Sequence, residues 1–488
     1  MSKKREKKLK KNIKQSYSSI DNFRFSLAKY QTLIIFLLIS LIFITFSYLR
    51  FYNIEKRFVF DWDQENISYS VKNILNGKPT LIGPRVVSEA GFFLGPYFSY
   101  LLIPFFIITN LHPKALIFFV VFINVLFFWT AFFVLKNIFG KTNAILFLSF
   151  WTINFSLIQF DTIGWWPVVL PIGITLTFYF LEKVYKENKL FDWIILAFIL
   201  GLFANIHFQF VFIIFFSFIF LLLVLIKKQI KSSLKKVIIF SVIFILMFLP
   251  LFIFDLRHQF LNTKNFFNFF FGSEKPLKKD IYIWWSVFGN LLKPVILFGD
   301  QFKNQWLIKI FYFLNFFILL FLQKKEIGFK KIFFLSSLIL WTIFPFAFMF
   351  WGKRPAEYYF IFLYPFIYIP LISFFLKIKK SLILILLLTI LFFSTKTHIF
   401  SKLKDDYFSF YYKEKVTQII KEKTYKKNFN ISFDVPLGMN HGFRYFFDWY
   451  QIKQTGNFSD PLIEVRIPPK KDDIVIKKIG IKIPQELK

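Results

Sequence analysis

Two carboxylates, Asp61 and Asp63, flank Trp62 just after the first long apolar run of the sequence. A carboxylate at a membrane surface, partly shielded from water, can be tuned to act as a general base. Either aspartate is also suited to capping a helix that starts here, because aspartate is a favoured N-cap residue. Two acids followed by Glu65 exceed what a cap needs, so we favour chemistry and keep the cap as the alternative.

Basic residues in polar stretches between apolar runs suggest a partner for negative charge. A guanidinium or ammonium group binds phosphate oxygens well, and a tyrosine hydroxyl can add a hydrogen bond. The alternatives are anchoring to lipid headgroups and pairing with nearby acids such as Glu89, Asp255 and Glu357. The candidate phosphate-binding residues are Arg85, Arg257, Lys353, Arg354 and Tyr358.

Four further polar residues are candidates for the walls of such a pocket. Glu89 follows Arg85 closely and is equally suited to a salt bridge with it. Asp161, in QFDTIGWWP, is expected at a helix start, where capping is the simpler interpretation. His207, in NIHFQF, has Asn205 and Gln209 beside it, although a lone histidine on an apolar face is more often structural. The fourth is His258, in FDLRHQF.

The elements that position these residues are membrane helices. The chain has 488 residues, of which 56% are hydrophobic and 23% aromatic, and apolar runs of membrane-spanning length recur from Gln31 to Ser394. The net charge of +34 would suggest nucleic acid in a soluble protein. Here the lysines cluster between apolar runs, which indicates cytoplasmic loops facing anionic lipid headgroups, and we expect no nucleic-acid partner. Cysteine is absent, which excludes disulfides and thiolate sites.

The sequence predicts an all-α polytopic membrane domain over residues 30–400 with about thirteen crossings. Residues 1–29 form a basic cytoplasmic tail, and the first helix runs from Tyr30 to Leu49. The charge distribution places the first outer loop, 50–91, and a second large one, 255–304, outside the plasma membrane. Within the first, helical spacing of apolar residues predicts a short amphipathic helix from Asp63 to Leu75.

If successive loops lie on alternate sides of the membrane, the segment between residues 92 and 161 needs an even number of crossings. Phe92–Thr109 and Lys114–Leu135 are expected to be two crossings, so a single span over 142–160 would place Asp161 on the wrong side. Two short helices, split near Trp151-Thr152, restore the parity. This places the N-terminus inside and the C-terminus outside.

Residues 401–488 have a different composition and predict a small extracytoplasmic α/β domain. Val416, Ile419 and Ile420 suggest a helix, and Phe443–Ile452 a second one. Strands are expected at Phe429–Val435 and, after the second helix, at Ile463–Ile467 and Asp473–Ile483.

Four short motifs together resemble the GT-C superfamily of polytopic glycosyltransferases, in particular bacterial relatives of protein O-mannosyltransferases and of the lipid A aminoarabinose transferase. They occur in the family's order over roughly residues 30–395. In the first motif Gln64 stands where the family usually has glutamate. The motifs are WDQENISYSVKNIL, PRVVSEAGFFLGPYFSYLLIP, QFDTIGWWPVVLP and WGKRPAEYYFIFLYPFIYIP.

The resemblance implies an inverting transfer of a sugar from a polyprenyl-phosphate donor to an acceptor hydroxyl on the outer face. By position in the motif Asp63 is the expected base, with Asp61 as support or substitute. The basic residues named above would stabilise the leaving phosphate. Some relatives hold a metal through an acid at the Glu89 position and a later histidine. His258 lies near that position without matching it, so a divalent metal is possible and no cofactor is certain.

Two other functional classes compete with a glycosyltransferase. A lipid-linked saccharide flippase usually shows internal repeats and charges within its spans, whereas these spans are nearly free of charge. A polysaccharide polymerase or ligase would also use an outer cavity, with a diphosphate-linked donor. The sugar and the acceptor, whether lipid, glycan or protein, are not indicated by the sequence.

Overall fold

A computed structural model describes residues 32–86, 91–227, 234–271, 305–351, 357–424, 427–457 and 459–487. The chain divides into two compact units, residues 1–48 and 49–488. The first described helix, α1, runs from Thr32 to Lys56, and its last residues belong to the second unit.

The second unit continues with a series of helices up to residue 402. Short 3-10 turns at Trp166–Val169, Phe208–Phe210 and Glu357–Leu363 precede three of them. The helices are α2 (Trp62–Leu75), α3 (Tyr97–Ile108), α4 (Ala115–Phe139), α5 (Lys141–Ile153), α6 (Phe155–Phe160), α7 (Leu170–Lys186), α8 (Leu190–Ile206), α9 (Val211–Lys227), α10 (Leu234–Leu246), α11 (Leu249–Arg257), α12 (Leu261–Phe271), α13 (Gln305–Lys325), α14 (Gly328–Trp351), α15 (Tyr364–Lys377) and α16 (Ser381–Lys402).

The predicted multi-pass membrane protein is confirmed, although the number of thirteen crossings is not. Among the described residues, six helices are long and apolar enough to cross a membrane, or up to eight if each bent helix pair forms one span. One such pair is α10 with α11, which meet at 49°. Several further apolar helices, including α3 and α8, are shorter.

The predicted split within residues 142–160 is present at Asn154. Its backbone is extended, which ends α5, and its side-chain oxygen accepts the Leu157 N–H and caps α6. An asparagine at this position both interrupts the helix and starts the next one. The break therefore lies within three residues of the position expected from the sequence.

The crossing expected for α3 is not confirmed, because contacts at its two ends place both of them near α2 and its partners. The Tyr100 hydroxyl in α3 donates to the Thr80 carbonyl after α2. Beyond the other end of α3, the Asn110 carbonyl accepts a hydrogen bond from Trp449 in the C-terminal part, which also contacts α2. A helix of 12 residues spans about 18 Å, well short of the ~30 Å hydrocarbon core.

The contacts of α4, α5 and α6 show where each of these helices begins and ends. α4 begins beside the C-terminal part and ends at Gly140, which shares a pocket with Glu326 and Lys377. α5 starts there and α6 ends at Asp161. The expectations that Phe92–Thr109 crosses the membrane, and that α5 and α6 cross it separately, are not confirmed.

The C-terminal part contains a small sheet, as the sequence predicts, together with two helices. Its four-stranded sheet has the order β1-β2-β4-β3, with β1 and β2 parallel and the other pairs antiparallel. The expected strand Asp473–Ile483 is a hairpin that turns at Lys477, whose φ is 58°. The elements are α17 (Phe410–Lys423), β1 (Asn430–Asp434), α18 (Phe443–Tyr450), β2 (Leu462–Arg466), β3 (Ile474–Ile476) and β4 (Ile479–Lys482).

One apolar core holds this domain together. It brings α17, α18 and the sheet into contact through side chains that are almost fully buried. Burying each such side chain contributes about 1.5–3 kcal/mol. Its central members are Val416, Ile420, Phe443, Ile463, Val465, Ile479 and Ile481.

Cysteine labelling tests the path of α3. The natural chain has no cysteine, so Lys78→Cys, Lys114→Cys and Lys141→Cys each carry one thiol. A membrane-impermeant maleimide should label the variants at 78 and 114 from the same side and the variant at 141 from the other. Labelling of 78 and 114 from opposite sides would restore α3 as a crossing.

Candidate active site

The two aspartates at the start of α2 have different roles. Asp61 is the N-cap: its carboxylate accepts the Trp62 N–H at 3.0 Å, and the Gln64 side chain accepts the Asp61 N–H at 3.1 Å. This reciprocal pair is a capping box. Asp61 therefore caps α2, as the alternative interpretation predicts, and the cap does not require Asp63.

Asp63 is poised to exchange a proton near neutral pH. Burial, followed by the neighbouring charge of Asp61, raises the pKa of Asp63 to about 6. Both effects disfavour the charged carboxylate, burial by removing water and Asp61 by repulsion. A carboxylate tuned upward in this way is a stronger base than an ordinary aspartate.

Tyr358 faces Asp63 from the 3-10 turn before α15. The Asp63 charge acts on the Tyr358 hydroxyl, so the two groups are close in space although 295 positions separate them in the sequence numbering. The Tyr358 ring is held between Trp165, with centroids 4.5 Å apart, and Tyr359, at 4.6 Å. The motif residues WW at 165–166 and YY at 358–359 thus meet in one place.

His207 and Gln209 close the same cluster from the junction of α8 and α9. The His207 ring lies 6.0 Å from that of Tyr358, and the Gln209 side-chain amide donates to the Tyr358 carbonyl at 3.2 Å. His207 Nδ1 accepts the Gln209 N–H, and burial lowers the pKa of His207 to about 3. His207 is therefore a neutral group that shapes the cluster.

Two polar atoms in this cluster point to room for a ligand. Among the contacts of the described residues, the indole N–H of Trp165 and the side-chain oxygen of Gln209 are buried and have no hydrogen-bond partner. Buried polar groups are normally paired, so each lacks a partner that a substrate could supply. We call Asp63, Trp165, His207, Gln209 and Tyr358 the Asp63 cluster.

Arg85 belongs to a second group, formed by the end of the first loop and the turn between α11 and α12. Its Nε donates to the Gly91 carbonyl at 2.7 Å, and its guanidinium lies 5.9 Å from the Phe93 ring centroid. The Phe93 N–H donates to Asn262, whose own N–H donates to Asp255 at 2.7 Å. Asp255 therefore stabilises the turn between α11 and α12 through this hydrogen bond.

Arg257 and His258 lie in this turn as well. Arg257 is exposed in the last turn of α11. The His258 ring stacks on Phe254 at 4.1 Å, and its Nδ1 lies 2.8 Å from the Phe254 carbonyl oxygen. The structure thus brings Arg85, Arg257 and His258 to one region, which we call the Arg85 group.

An apolar cavity of about 420 Å³ lies between the end of the first loop, α8, α9, α11 and α12. Asn205 and Phe208, which flank His207, form one wall, and Phe93, Asp255 and Asn262 of the Arg85 group form another. Gly95 lets the first loop approach α8 here, because a Cβ at this position would lie 2.3 Å from the Asn205 side-chain oxygen. The remaining lining is mostly phenylalanine, leucine and isoleucine.

Asp161 lies apart from this cavity, in a buried ion pair. It stands at the C-terminal end of α6, not at a helix start, and it accepts hydrogen bonds from Arg50 Nε at 2.8 Å and from Trp151 Nε1 at 3.2 Å. The Arg50 guanidinium also donates to the Trp151 and Thr152 carbonyls at the end of α5. Asp161 therefore fixes the break between α5 and α6.

Three predicted site residues, Glu89, Lys353 and Arg354, lie outside the described residues. Within the described part of the chain, no group of three or more histidine, aspartate or glutamate side chains could hold a metal ion. The possible divalent metal at Glu89 therefore stays a prediction.

The sequence did not single out Arg50, Trp165 or Lys413, and it pointed to Gln209 only as a polar neighbour of His207. Arg50 had a signal, since it is a cation directly after an apolar run and charges near apolar spans usually have a specific role. Lys413 interrupts the apolar face of α17, which also carries Phe410 and Val416. Trp165 had no signal beyond its polar atom within an apolar motif.

Comparisons with known proteins find similarity in solved structures. No protein-family model and no curated protein matches the sequence. ArnT from Cupriavidus metallidurans bound to undecaprenyl phosphate matches at 9% identity and a TM-score of 0.46, over 70% of this chain and 59% of that one. Its apo form matches at 12% identity and a TM-score of 0.44, over 71% and 59%.

The oligosaccharyltransferase of Archaeoglobus fulgidus, in complex with zinc and sulfate, matches at 13% identity and a TM-score of 0.46, over 81% of this chain and 60% of that one. These structural neighbours are GT-C membrane glycosyltransferases. The chain spans about 60% of the length of the proteins it matches. With TM-scores below 0.5, the function proposed below rests on this chain's own residues.

Removing the Arg50 charge should destabilise the fold strongly. Arg50→Met leaves Asp161 buried without its counter-ion, which typically costs about 3–5 kcal/mol. Arg50→Met combined with Asp161→Asn should recover part of this loss, because no uncompensated charge remains. Thermal unfolding in detergent measures both, with the exposed Lys141→Met as control. Equal stability of Arg50→Met and the natural protein would contradict this role.

Proposed function

We propose that this protein is an inverting glycosyltransferase that moves a sugar from a polyprenyl-phosphate donor to an acceptor hydroxyl on the outer face of the membrane. The observation that carries the proposal is the half-buried Asp63, whose pKa is raised and whose charge acts on Tyr358 beside His207. The neighbours of His207 in the sequence, Asn205 and Phe208, line an apolar cavity. The cavity size lies within the range of small-molecule sites, about 300–1,000 Å³. An apolar cavity open to a membrane suits a lipid-linked substrate better than a free nucleotide sugar.

Asp63 is the base in this reaction. Its carboxylate takes the proton of the acceptor hydroxyl while the hydroxyl oxygen attacks the anomeric carbon from the face opposite the phosphate. The bond from the anomeric carbon to the phosphate oxygen breaks, and polyprenyl phosphate leaves with the electron pair. One displacement inverts the anomeric configuration, and the proton remains on Asp63 until water removes it.

The leaving phosphate gains negative charge as the bond breaks, and cations placed there lower the barrier. The guanidinium of Arg85 lies beside Phe93, and Arg257 follows Asp255 by two positions; both Phe93 and Asp255 line the cavity, so these arginines are assigned to the phosphate. Lys353 and Arg354 are assigned the same role from the sequence. The Tyr358 hydroxyl is close enough to Asp63 to orient the acceptor. His207 and Gln209 hold Tyr358 in place, so they act through it.

A flippase would use the same cavity, but it has no need of a carboxylate tuned as a base. The two functions differ in their product. Reconstituted protein given a polyprenyl-phosphate sugar on one side should form a glycosylated acceptor, whereas a flippase would move the intact lipid without forming one.

Replacing Asp63 tests the base. Asp63→Asn keeps the shape of the side chain but cannot accept the proton, so transfer from a panel of polyprenyl-phosphate hexoses should fall by about 10²-fold or more. Asp472→Asn, an exposed aspartate of the C-terminal domain, is the matched control and should keep full activity. Transfer by Asp63→Asn at the natural rate would rule out Asp63 as the base.

The pH profile tests the neighbour effect on Asp63. Activity should fall as the pH drops through about 6, because Asp63 becomes protonated. Asp61→Asn removes the repelling charge but keeps a good N-cap, so the acid limb should move to lower pH. The pH dependence of kcat/KM, measured for the natural protein and for Asp61→Asn, gives the position of the acid limb in each. An acid limb that stays in place in Asp61→Asn would show that Asp61 does not influence the base.

A further inference from the structure

Lys413, on α17 of the C-terminal domain, is almost fully buried, with 1% of its surface exposed. Its ammonium group donates to the Phe60 carbonyl and to the His441 carbonyl, both at 2.7 Å. It also lies 4.0 Å from Asp61 and over the Phe408 ring, 4.6 Å from the centroid. Its partners thus come from both the C-terminal domain and the chain just before α2.

A buried ammonium is costly unless its hydrogen bonds are made. A lysine has three donors, and here two carbonyls and a nearby carboxylate face them. A charged side chain, Lys413, is therefore buried at the point where α2 begins. Core packing alone would be served by an apolar residue at this position.

The same domain contacts α2 along its length. The Tyr445 N–H donates to Glu65 at 3.0 Å, and the Tyr69 hydroxyl donates to Asp448 at 2.8 Å. These contacts hold the body of the helix. Lys413 differs because it holds Phe60 and Asp61, directly before the candidate base.

We propose that Lys413 is a positioning residue for Asp63, which fixes the start of α2 so that the carboxylate faces Tyr358. The inference rests on the proposed function and adds the C-terminal domain to the active site. Lys413 does not touch the reacting atoms. It acts by holding the peptide from Phe60 to Asp61, and loss of that hold displaces the base by a fraction of a helical turn.

The charge of Lys413 is sensitive to pH in the range where the enzyme would work. Burial lowers the pKa of Lys413 to about 8, against the opposing effect of Asp61 and Glu65 from α2 and Asp406 before α17. Glu414 and Lys415 are its charged neighbours on its own helix. Above pH 8 the ammonium becomes a neutral amine with one donor fewer, so the hold on α2 weakens.

Two variants test the inference with a panel of polyprenyl-phosphate hexoses. Lys413→Met should lower kcat by up to about 10²-fold and leave the donor KM nearly unchanged, because the base is displaced while the cavity is intact. Lys413→Arg stays charged at every accessible pH. It should therefore keep much of the activity and lose the alkaline limb near pH 8 that the natural protein shows.

Lys415→Met, exposed on the same helix, is the matched control and should behave like the natural protein. Natural kcat in Lys413→Met, or an alkaline limb near pH 8 that persists in Lys413→Arg, would overturn the inference. If Lys413→Met does not fold, the profile of Lys413→Arg decides alone. Activity in Asp63→Asn would instead refute the proposed base, which separates the two failures.

Discussion

The architecture depends on how the chain satisfies its backbone hydrogen bonds at the break between α5 and α6. A helix that stops inside an apolar region leaves carbonyl groups without partners, which is costly where water is excluded. Arg50 meets this need by donating to the Trp151 and Thr152 carbonyls, and Asp161 balances its charge. The segment after Asp161 is thereby fixed, and it carries Trp165, on which Tyr358 packs. The geometry around Asp63 is thus coupled to an ion pair outside the cavity.

Similar residues have different roles because their surroundings differ. Asp61 and Asp63 are two positions apart on one helix, yet one accepts backbone hydrogen bonds and the other is desolvated. Asp161, which the motif resemblance placed with them, has a structural role. Residue type alone does not distinguish these functions, since the number of hydrogen bonds and the access of water determine whether a carboxylate caps, pairs or accepts a proton.

The sequence predicted features that depend on local pattern. The apolar runs, the break near Trp151, the amphipathic helix after Asp61 and the C-terminal strands all follow from periodicity and from turn residues. The contacts of α3 did not follow, because its residues are as apolar as a spanning helix and only its neighbours in the fold place both of its ends near α2 and its partners. Arg50 and Asp161 lie 111 positions apart, and Lys413 and Phe60 lie 353 apart. Pairing over such distances is a property of the folded chain, and a single sequence does not show it.

The docking of α2 also has a consequence for the time course of synthesis. The helix that carries Asp63 leaves the ribosome early, whereas Lys413, Tyr445 and Asp448, which hold it, are made more than 300 residues later. A nascent chain therefore inserts most of its helices before the start of α2 has its partners. The C-terminal part is made last, so a partly synthesised chain carries the apolar cavity without the contacts that hold the start of α2.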